Sequence, residues 1–287
     1  MKLCFAMLLG CILAAQAVAV DLPFKKKPQE FTTHKPEDVV ATLRNGTPTQ
    51  RNDLALELGI LAPVPGDSAV KPNAPCVNFS HIEQRAVMLR AGAENEVLLV
   101  DSAECESTYI VVFDKAPKSE WRHVQTVRMT ARAERPDITF AELIQPGVSE
   151  ILVRHETTHD GGSLGQQDFG VLKLVHDHVE VVLDATEHSE ITLANRDPED
   201  TDVHQQTQVS TFDLLKAPPK SAAQYRILEK QVISDDKTTI TRFVVWTWNP
   251  ELERFRPAPF DGGNARPAAT KPAATPGKKP TAPAKPK

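Results

Sequence analysis

The chain has 287 residues, 40% of them hydrophobic and 25% charged, and a formal net charge of −5. That composition is enough to bury a sizeable core, and the negative balance argues against nucleic acid as a partner. The only long apolar run lies at the N-terminus, so no transmembrane helix is expected after it.

Met1 and Lys2 make a short positive start. Residues 3–15 (LCFAMLLGCILAA) carry no charge, and Ala17 and Ala19 put small residues where signal peptidase reads them. This is the three-part pattern of a cleavable signal peptide over residues 1–19, and it predicts a secreted or periplasmic mature protein. Leu8-Leu9-Gly10-Cys11 offers a second reading, a lipobox in which Cys11 becomes a lipid-anchored N-terminus.

Residues 20–35 are charged and irregular and form a leader. A helical hairpin is expected over 36–60. Pro36 fits a first helical turn, Val39, Val40 and Leu43 share one face, and Asn45-Gly46 ends the helix. Thr47-Pro48-Thr49-Gln50 then reads as a capped start, with Leu54, Ala55 and Leu58 as the buried stripe and Gly59 as the stop. So small a hairpin must dock its apolar face on the strand-rich region downstream. Residues 61–75 carry four Pro and read as a linker.

Of four cysteines, Cys4 and Cys11 lie in the signal segment, which leaves Cys76 and Cys105. An oxidising compartment favours a disulfide between them.

From 76 to 258 the pattern turns to strands. Residues 96–100, 109–113 and 121–129 make one group, 151–155, 169–175 and 178–184 a second, and 225–233, 243–248 and 254–257 a third. Turn residues such as Lys115-Ala116-Pro117 and Trp248-Asn249-Pro250 separate them. The expected fold is mainly β: antiparallel meanders repeated along the chain, shaped like propeller blades or like a bent two-layer sheet. Three groups are too few to close a propeller of four or more blades.

One motif carries chemistry. His155-Glu156-Thr157-Thr158-His159 matches HExxH, in which two His one helical turn apart bind zinc and the Glu polarises the metal's water. In this it resembles the zinc-dependent metallopeptidases. Gly162 matches the longer pattern, but Gly165 stands where its third His belongs, leaving Glu180 or Glu187 as a third ligand. The same residues also alternate as a strand, with Ile151, Val153 and His155 on one face. On a strand, His155 and His159 would lie ~13 Å apart and could not share one ion. His176-Asp177-His178 reads as a solvated turn and residues 195–202 (NRDPEDTD) as an acidic loop. Phe243, Trp246, Trp248 and Phe255 read as core, with a sugar platform as the alternative.

Residues 259–287 are a Pro/Ala/Lys tail expected to stay unstructured. From residue 257 on, six cations face only Asp261, a net of +5; with Lys2 removed the mature chain is −6, so residues 20–256 carry −11 (−6 minus +5). A basic tail on an acidic body suits adhesion to an anionic envelope polymer or lipid headgroups. The leading expectation is a non-enzymatic interaction or scaffold module of the periplasm or cell surface, without a cofactor. The alternatives are a zinc hydrolase using His155, Glu156 and His159, and an envelope-polymer or carbohydrate binder.

Overall fold

The computed structural model describes residues 33–61, 75–115, 120–130, 135–157, 166–194, 203–235 and 237–258. The signal peptide, most of the leader, the interior of the linker, Ala116-Pro117, His159, the 195–202 loop and the basic tail lie outside the described residues.

The hairpin forms as its sequence dictates. Helix α1 spans Pro36–Asn45 and buries Val39 and Leu43. Helix α2 spans Pro48–Leu58. Its capping box is complete: the Thr47 hydroxyl accepts from the Gln50 amide at 3.3 Å, and Gln50 Oε1 accepts from the Thr47 amide at 2.9 Å. Gly59 ends α2 at φ +68°, a conformation that favours glycine.

Four strands come next as an antiparallel meander: β1 (His81–Val87), β2 (Asn95–Ser102), β3 (Ser107–Lys115) and β4 (Trp121–Thr130). Strands β2 and β3 are buried along nearly their whole length. Their cores, EVLLV and YIVVF, are continuous apolar runs rather than alternating ones, which is what burial on both faces requires. The hairpin covers one face, where Val39, Leu43, Leu54 and Leu58 pack on Leu98, Val100, Val111 and Phe113. The other face packs Val97, Leu99, Ile110 and Val112 against Ile151, Val153, Leu172 and Leu174 of a second sheet. Helices, first sheet and second sheet thus stack as three layers.

The second sheet is one antiparallel meander of eight strands: β5 (Asp137–Ala141), β6 (Glu150–Thr157), β7 (Gln166–Val175), β8 (His178–Ala194), β9 (Val203–Lys216), β10 (Tyr225–Ser234), β11 (Thr239–Asn249) and β12 (Arg254–Ala258). The second and third expected strand groups are therefore parts of one continuous sheet. Strand β8 makes this possible. The first part of its 17 residues pairs with β7 and its last part with β9, and bulges in the β7–β8 ladder bend it between. The sheet curls so that Phe255 of β12 packs with Val182 and Leu183 of β8, around Phe169, Val171 and Ile227. Leu143, fully buried after β5, closes the curl by accepting from the amides of Gln224 and Tyr225, each at 3.0 Å.

The sequence pattern does not announce strands β1, β5 and β9. Strand β1 buries only Ile82, β5 is five residues at a sheet edge, and β9 is rich in Gln and Thr. None needs a fully apolar face, so none shows one in sequence.

Cys76 and Cys105 are bonded, with Cα atoms 6.2 Å apart. The bridge ties the chain entering β1 to the β2–β3 turn beneath the hairpin. Among the described residues no helix is long and apolar enough to cross a membrane.

Candidate functional sites

Residues 150–157 of the HExxH segment are strand β6, not helix. Its alternating side chains serve two layers. Ile151 and Val153 enter the core shared with the first sheet, while Leu152 enters the curl of the second. His155 continues the first face and Glu156 the second, so the two adjacent motif residues project to opposite sides. His155 lies opposite Asp168 of β7 in the ladder. Its Nδ1 is shielded from solvent and meets no hydrogen-bond partner.

The downstream acids separate. Glu180 bonds His178 at 2.6 Å near the start of β8. Glu187 accepts from Arg154 Nε at 2.9 Å, and Arg154 also reaches Asp137 at 3.2 Å and lies over the Phe169 ring at 5.4 Å. Glu187, His155, Glu156, Arg154, Arg135 and Asp137 line an open cleft of about 260 Å³. Arg154 pairs with Glu187 and Asp137 within the cleft, and Arg135 Nε meets Asp101 of the first sheet at 2.8 Å. Next to this cleft, Gln166 donates to Asp168 at 2.6 Å and to Thr186 at 3.2 Å. Burial, then the charge of Asp168, push the Asp184 carboxyl above its ordinary range. Asp168 and Asp184 escape sequence reading, since isolated acids in strands carry no spacing signal. Among the described residues no three His, Cys, Asp or Glu side chains gather as a metal site.

Two carboxylates are buried for structural reasons. Glu229 of β10 accepts from Trp246 Nε1 at 2.8 Å, Ser210 at 3.0 Å and Gln231 at 2.8 Å. Glu150 of β6 accepts from the amides of Leu143 and Ile144 at 2.7 and 3.3 Å, and so holds the loop that closes the curl.

The aromatic cluster divides by strand parity. Trp246, Trp248 and Phe255 face the core, with Trp248 edge-on to Phe255 at 5.4 Å. Phe243 lies on the opposite, outer face and is 46% exposed. The expected turn at His176-Asp177 is present, with His176 at φ +52°, but Asp177 reaches back to Arg122 of the first sheet at 2.8 Å.

That outer face of β9–β12 is a second candidate. Its centre is Leu215, Leu228 and Val245. Around them the ladder places Arg226 and Lys230 of β10 and Arg254 and Arg256 of β12, against one acid, Asp213. Arg85, Arg90, Arg122, Arg135 and Arg154 all pair with carboxylates. Arg226, Lys230, Arg254 and Arg256 pair with none among the described residues. No family model, no curated protein and no solved structure matches the chain, so its function is read from its own residues.

Proposed function

We propose that the chain is an exported, non-enzymatic interaction module that adheres to an anionic partner in the periplasm or at the cell surface. One observation carries this reading: Arg226, Lys230, Arg254 and Arg256, which meet no carboxylate among the described residues, share one sheet face, while Arg85, Arg90, Arg122, Arg135 and Arg154 are neutralised within the fold. Unpaired cations on a body of net negative charge keep their charge available for an external anion, and they steer association with one. The signal pattern of residues 1–19 and the Cys76–Cys105 bridge support the compartment. The basic tail continues directly from β12, where Arg254 and Arg256 stand.

The test is fractionation of the full chain expressed with its own leader. The mature protein should begin at Val20, show no free thiol, and leave the envelope fraction when salt is raised, since exposed charges are screened within ~8 Å at 0.15 M. A variant carrying Arg226→Gln, Lys230→Gln, Arg254→Gln and Arg256→Gln should already be released at low salt. Equal retention of variant and parent removes the reading. Recovery with an acyl chain on Cys11 would move the anchor to the N-terminus.

A further inference from the structure

The same outer face carries a second kind of side chain. Read across the ladder, its rows are Thr207–Ser234–Thr239, then Val209–Val232–Thr241, then Thr211–Lys230–Phe243. Below them lie the buried apolar centre and, one residue past the last β10–β11 pair Ile227–Trp246, Arg226 on β10, with Thr247 of β11 opposite Arg256. Hydroxyls thus gather around Lys230 at one end of the face, and Thr247 stands beside Arg256 at the other, with Leu228 and Val245 between them. Thr211, Thr239 and Thr241 are exposed, and so are Lys230, Arg254 and Arg256. The Nε–H of Arg226 is shielded from solvent yet meets no acceptor.

We infer that this face binds a linear acidic polysaccharide, an inference that rests on the adhesion reading and gives it a ligand class. One feature selects a sugar acid over a polyphosphate. Three of the four cations here are Arg, whose planar fork matches carboxylate and phosphate alike in two parallel hydrogen bonds, so the choice falls to the hydroxyls. Threonine hydroxyls both donate and accept, as sugar hydroxyls require; a polyphosphate chain offers them only acceptors. The cations are also spread rather than pooled. Arg254 and Arg256 are two residues apart on one strand, about 7 Å, and Arg226 lies two strands from Arg256, about 10 Å. A polymer with one charge per repeat can meet such a track, whereas a single small anion cannot. A face built to enter a lipid surface would instead present Trp and large aliphatic side chains. Here the aliphatic centre is already buried, with Val245 only 3% exposed, and the large apolar side chains exposed on the face are Val209 and Phe243, with no Trp among them.

The inference is tested with the full mature chain and four probes: alginate, neutral dextran, linear polyphosphate, and vesicles of phosphatidylglycerol with phosphatidylcholine. Alginate should bind and dextran should not. The variant with all four cations changed to Gln should lose at least about tenfold in affinity for alginate. Thr211→Val with Thr241→Val keeps every charge; it should weaken alginate several-fold and leave polyphosphate unchanged. Circular dichroism and the unfolding midpoint of each variant check that the sheet is intact. If polyphosphate or the vesicles bind through the four cations and alginate does not, the saccharide inference is overturned while adhesion through this face stands. If no probe depends on the four cations, both fail.

Discussion

Arg122 of β4 meets Asp177 of the β7–β8 turn at 2.8 Å, so one guanidinium links the two sheets. It also holds Asp114 of its own sheet at 2.9 Å. The two carboxylates are unequal, with side chains 52% and 6% exposed for Asp177 and Asp114. Arg122→Leu leaves Asp114 buried with the Asn95 amide at 3.2 Å and the longer contact to Arg90 at 3.6 Å, and should cost about 2–3 kcal/mol. Asp177→Asn removes an exposed partner and should cost less than about 1 kcal/mol. Urea unfolding of the two variants checks the ranking, and equal losses would show that the inter-sheet link rather than Asp114 sets the cost.

His123 sets the acid limb of stability. It is 8% exposed, lies tilted against Phe113 with ring centres 5.7 Å apart, and bonds Thr126, whose hydroxyl donates to Leu58 at the end of α2. Burial lowers its pKa from 6.5 to about 4. The unfolded chain binds the proton first, so stability is lost as pH falls through the window from 6.5 to about 4. The loss is at most about 3 kcal/mol. His123→Gln should flatten that limb, and an unchanged pH profile would assign the loss to another group.

Glu150 acts with the opposite sign. Burial raises its carboxyl pKa above 4.5, against the lowering effect of the Leu143 and Ile144 amides. Between 4.5 and the raised value the folded chain holds the extra proton, so Glu150 costs increasing stability as pH rises. Glu150→Gln keeps an acceptor for both amides. Its melting temperature should exceed the parent's at pH 7, and the gain should vanish below about pH 4.5. A variant less stable than the parent at pH 7 would show that the charged form is what the loop needs.

Removing the disulfide tests how far the hairpin depends on it. Cys76→Ser with Cys105→Ser reopens a loop with a sequence separation of 29. The chain-entropy model gives a loss of roughly 3–4 kcal/mol. Calorimetry of the double variant reads the loss, and an unchanged midpoint would mean that packing beneath the hairpin holds the loop closed unaided.

Zinc analysis of the purified mature protein bears on the HExxH resemblance. With His155 and Glu156 on opposite faces of a strand, the metal content should be far below one ion per chain. Stoichiometric zinc lost on His155→Ala would restore the hydrolase reading.

Some features were legible in the residues themselves. Thr47 and Gln50 specify the α2 cap because a capping box is a local exchange of two hydrogen bonds. Cys76 and Cys105 were the only pair left outside the signal segment. The runs EVLLV and YIVVF announced strands, since too few polar positions remain for a solvated face. What lies on either side of those strands was not legible. The same holds for residues 150–157, whose apolar positions fit a helical stripe and a strand alike. Tertiary structure decided for the strand by giving Ile151 and Val153 one core and Leu152 another. Only period two feeds two opposite layers at once. The outer face of β9–β12 was hidden for a related reason. Its cations and threonines are scattered along the strands in sequence, and only the register of the ladder brings them into rows.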